Sequence, residues 1–77
     1  MKAARRYRLI ITRSGRGPAL LANPARVDHV EIVDVDSGEV VLFWDLAVRD
    51  ASRLARAIRE DLNRMADDEF LEKWSAA

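Results

Sequence analysis

Cysteine is absent from the chain, which excludes a disulfide framework and a thiolate metal cluster. No apolar run approaches the roughly 18 residues needed to cross a bilayer. The basic start Met1-Lys2-Ala3-Ala4-Arg5-Arg6 is not followed by the apolar segment and cleavage site of a secretory leader, so a soluble, cytoplasmic protein is expected. There is no internal repeat, low-complexity tract or interdomain linker. Serine, threonine and lysine are scarce, and none of them sits in a nucleophile motif. At 77 residues the chain is one small domain, too short for two cores or for most enzyme architectures. A ligand cavity of about 300 Å³ or more is hard to enclose at this size. The expectation is therefore a non-enzyme without a cofactor.

What is present is hydrophobic pattern: 49% of the residues are apolar. Residues 1–4 read as a frayed tail. Arg5 to Arg13 reads as a strand, with Tyr7, Leu9 and Ile11 on one face and Arg6, Arg8, Ile10 and Thr12 on the other. Ser14 to Pro18 breaks it, and Ala19 to Arg26 reads as a long connection with Leu20 or Leu21 pinned to the core. Val27 to Val35 and Glu39 to Asp45 read as strands flanking an Asp36-Ser37-Gly38 turn, hence an antiparallel hairpin. The period then lengthens. Ala51, Leu54, Ala55, Ile58, Leu62 and Met65 fall on one helical arc, with Arg49, Arg53, Arg56 and Glu60 opposite. Asp67 looks like the cap of a last short helix carrying Phe70, Leu71 and Trp74. The fold class is α+β: a three-stranded antiparallel sheet, a long amphipathic helix and a short C-terminal helix, in the order β-β-β-α-α.

The third strand runs Val40-Val41-Leu42-Phe43-Trp44 without a polar break. Val40, Leu42 and Trp44 should point one way, and Val41 and Phe43 the other. With Val33, Val35 and Ile10, this makes both sheet faces apolar, while one long helix covers only one face. Small domains hold little core energy, so a second copy is the economical cover. The expected interface is Val41, Phe43, Val33, Val35 and Ile10, with Phe70 and Trp74 as further candidates. The leading functional expectation is a homodimeric interaction or regulatory module with a protein partner still to be identified.

Charge supplies the alternative. Thirteen basic residues balance thirteen acidic ones, yet residues 1–27 carry +7 and residues 28–50 carry −6. Arg5, Arg6, Arg8, Arg13 and Arg16, with Arg49, Arg53, Arg56 and Arg64 of the long helix, can form a phosphate-binding surface. Asp34, Asp36 and Glu39 make the hairpin itself a poor surface for nucleic acid. Cross-strand pairing of unlike charges is the plainer account of the same asymmetry. Eleven of the thirteen cations are arginine, as a GC-rich, bacterial genome would give.

The other candidates read as structural. His29 and Asp28 alternate to opposite faces, while Glu31 shares the face of His29 and suits an ion pair. Asp34-Val35-Asp36-Ser37-Gly38-Glu39 opens like a calcium loop but runs at once into a strand, so a solvated turn fits better than a metal site. Arg13 to Pro18 lacks the nucleotide-binding glycine-lysine pattern.

Overall fold

The computed structural model describes residues 1–13 and 27–76. It shows a one-turn helix α1 (Ala3–Arg6), strands β1 (Tyr7–Arg13), β2 (Val27–Asp34) and β3 (Val40–Ala47), then helices α2 (Val48–Arg64) and α3 (Asp67–Ser75). The strands form one antiparallel sheet in the order β1-β2-β3. This is the α+β arrangement that the periodicities predict. The Leu20–Leu21 anchor, Arg16 and the Ser14–Pro18 loop lie outside the described residues.

The β2–β3 turn is built by Asp34. Its carboxylate accepts the backbone N–H groups of Asp36 and Ser37 at 2.9 and 3.4 Å. These donors hold the Asp34 carboxyl below its usual pKa, with help from Arg6 at 3.5 Å. Gly38 takes a φ of +76°, a left-handed conformation that a side chain disfavours. The acids that resemble a calcium loop thus serve as a turn.

All three helices pack on one face of the sheet. Val30 and Ile32 of β2 are fully buried there, against Ile58 and Leu62 of α2 and Phe70 of α3. Alanine at 51 and 55 on the buried face of α2 leaves little side-chain bulk between helix and sheet. Tyr7 stacks on Phe70 with ring centres 5.7 Å apart, and Trp44 meets Trp74 edge-on at 6.1 Å. The Trp74 indole N–H donates to Asp61 at 3.1 Å, satisfying its one polar atom.

Four expectations are corrected. Residues 1–4 are not a loose tail: Ala3 is fully buried, its N–H donates to the Met65 carbonyl at 3.0 Å, and Lys2 bridges Ala66. Phe70 and Trp74 lie in the chain's own core rather than on an interface. Only two residues separate α2 from α3, so the second helix folds back over the face the first already covers. Val41 also turns inward. The pairing of β2 with β3 shifts between Ile32 and Val33, so that Val33 faces Val40, not Val41. Val41 is thereby left to pack against the core while Val40 is exposed. Finally, α2 and α3 start at Ala47 and Ala66 without side-chain caps. Asp67, Asp68 and Glu69 instead fill the first turn of α3, where negative charge complements the helix dipole.

Candidate functional site

β1 is an edge strand, and α2 runs across the sheet beside it. Burying Ala51, Ala55, Ile58 and Leu62 leaves the opposite side of α2 to solvent, and there Arg49, Ser52, Arg53, Arg56, Arg59, Glu60 and Asn63 are all exposed. Between α2 and β1 lie two adjoining hollows. One, of about 390 Å³, is lined by Arg5, Arg8, Arg59 and Asn63 over a floor of Tyr7, Leu9 and Leu62. The next, of about 370 Å³, shares Arg59 and Asn63 and adds Arg13, Arg56 and Glu60. A third, of about 570 Å³, continues along α2 through Ser52 and Arg56 to Arg49 and Arg53.

The three adjoin through shared residues, and among the described residues their lining holds seven arginines and one carboxylate, Glu60, with Arg49 and Arg53 on the outer face of α2 alone. Among the described residues, none of these seven guanidinium groups is in an ion pair or a side-chain hydrogen bond. Two other cations are used differently. Lys73 donates to Asp61 at 2.6 Å. Arg6 reaches Asp67 at 3.2 Å and Asp34 at 3.5 Å. Its hydrogen bond to Asp67 is the main cause of a raised pKa for Arg6 and a lowered one for Asp67. Arg6 therefore ties α1 to α3 and to the hairpin, and it leaves the predicted phosphate-binding set.

Sequence reasoning groups Arg5, Arg8, Arg13, Arg49, Arg53 and Arg56 as one phosphate-binding surface, and in the structure these six line the three hollows. It misses Arg59, Ser52 and Asn63. Arg59 sits on the flank of the helical stripe, next to buried Ala55, where a wheel drawn around the apolar arc gives it no side. Its spacing of three from Arg56 and four from Asn63 is the signal that links it to the groove.

The sheet face away from the helices holds the other predicted set. Register places Ile10, Glu31 and Phe43 in one row, Arg8, Val33 and Val40 in the next, and Thr12, His29 and Asp45 in a third. Ile10, Val40 and Phe43 are 39, 51 and 52% exposed. His29 pairs with Asp45 of β3, not with Glu31, and stacks on Phe43 with ring centres 5.7 Å apart. The face is therefore mixed rather than apolar throughout. Val35, predicted for it, is 43% exposed and, like Arg8, also borders the first hollow at the sheet edge.

Among the described residues no group of three or more potential ligands could hold a metal ion, and no helix is long and apolar enough to cross a membrane. Compared with protein-family models, with curated proteins and with solved structures, the chain matches none of them.

Proposed function

We propose that the chain binds the phosphate backbone of nucleic acid through the groove between β1 and α2. One observation carries this reading: α1, β1 and the distant α2 bring seven arginines to three adjoining hollows where, among the described residues, no acid pairs with them. Unpaired guanidinium groups held side by side repel one another, and a chain of phosphates relieves that repulsion while releasing counterions. The planar fork of arginine suits phosphate oxygens in pairs. The zero net charge is no obstacle, since at about 0.1 M salt only charges within about 10 Å act strongly. The test is a fluorescence titration with a random-sequence DNA duplex at two salt concentrations. Binding is expected to weaken steeply between about 50 and 200 mM salt, with Arg5→Ala and Arg59→Ala each lowering the salt slope by about one. No binding at the lower salt would overturn the reading.

A second reading uses a different surface. Ile10, Val40 and Phe43 are exposed on the outer sheet face, and a second copy closing on that face would cover them. Sedimentation equilibrium at micromolar concentration is then expected to give a dimer mass for the native chain and a monomer mass for Phe43→Asp. A monomer mass for the native chain ends this reading without touching the first.

A further inference from the structure

Glu60 is out of place on a surface that only grips phosphate. It stands in the middle of an arginine stripe, with Arg56 one turn before it and Arg64 one turn after. Among the described residues its carboxylate nevertheless forms no ion pair. Against a phosphate chain it is repulsive, and Asn63, one turn further on, is neutral there. Both make sense against base edges. Glutamate accepts the N4 amino group of cytosine, asparagine pairs with N6 and N7 of adenine, and arginine pairs with O6 and N7 of guanine.

From this we infer that α2 is a reading helix that lies in the major groove of B-form DNA, with Arg49 and Arg53 facing the base edges, Glu60 and Asn63 reaching them from the rim of the β1–α2 groove, and Arg56 and Arg59 with β1 holding the bordering phosphate ridge. The inference rests on the reading proposed above. The dimensions agree. α2 has 17 residues, about 25 Å at 1.5 Å per residue, and a helix about 10–12 Å across fits a major groove about 12 Å wide. The sheet and the other two helices back α2 from the far side, so only its exposed half needs to enter. Arg59, on the flank toward β1, joins Arg5, Arg8 and Arg13 around the ridge.

Two other forms of nucleic acid fit less well. Single strands are held largely by bases stacked on exposed aromatic rings, and the groove's one aromatic, Tyr7, is 3% exposed. Duplex RNA has a deep, narrow major groove that side chains do not enter.

The experiment compares a DNA duplex, an RNA duplex and a single strand of one sequence. It then selects bound DNA from a randomised duplex pool with the native chain, Glu60→Gln and Asn63→Ala. The expected result is DNA duplex binding at least about tenfold tighter than the other two forms, and enrichment of particular base pairs. Each variant should lose preference at one position by about fivefold or more while its salt slope stays unchanged. Glu60→Gln should bind the random pool more tightly than the native chain. Equal affinity for DNA and RNA duplexes, tighter binding of the single strand, or no enrichment would overturn the reading helix and leave the phosphate-binding groove standing. Failure to bind any nucleic acid at low salt would remove both.

Discussion

Phe70→Ala is expected to leave most of the protein unfolded at room temperature. Phe70 is the largest fully buried side chain, stacked on Tyr7 and tilted against Trp74. Truncating a buried phenylalanine costs about 3–5 kcal/mol, through lost transfer energy and the cavity left behind. A domain of this size rarely draws more than about 3–5 kcal/mol from its core, so the two quantities cancel. The loss also spreads, because Phe70 fixes α3 over Tyr7, and α3 in turn is tied to α1 through Arg6 and Asp67. Far-UV circular dichroism and a urea titration measure the effect. Phe43→Ala is the comparison: it removes the same side chain from a half-exposed position stacked on His29 and should cost well under the roughly 3–5 kcal/mol of the buried site. A Phe70→Ala midpoint close to that of the native chain would mean that the described core is not what holds the fold.

The second large effect is on binding. Arg56 lines two of the three hollows and Arg59 joins the two nearest β1. Reversing both, Arg56→Glu with Arg59→Glu, should abolish duplex binding at about 0.1 M salt. Each charged hydrogen bond to a phosphate is worth about 1.5–3 kcal/mol, so losing two costs at least about 3 kcal/mol, or more than 100-fold. The new carboxylates add repulsion to that loss. Both side chains are exposed and, among the described residues, make no ion pair, so the melting curve should barely move. A double variant that binds as tightly as the native chain would show that the groove is not the contact surface.

How much of this is legible in the sequence depends on range. The strands and α2 follow from local periodicity, because burial on one face repeats every two residues in a strand and every three or four in a helix. α1 has only four residues, too few to mark itself by pattern. It exists because Ala3 packs into the core and bonds to Met65. The side of the sheet that Phe70 and Trp74 choose is set by the two-residue link after α2, a geometric fact with no composition of its own. Arg5, Arg8, Arg13, Arg49, Arg53 and Arg56 are readable as a set because charge clusters in the text. Arg6 is not separable from them until its partners Asp34 and Asp67, far away in sequence, are seen.

The shifted pairing between Ile32 and Val33 decides which way the rest of β3 faces. A regular hairpin that gains one residue is turned inside out, since every later side chain changes face. Here the extra residue is absorbed near the loop end. Leu42, Trp44 and Leu46 stay opposite Ile32, Val30 and Asp28. The bulge thereby confines the one extra residue to the loop end and keeps Trp44 on the face where it meets Trp74.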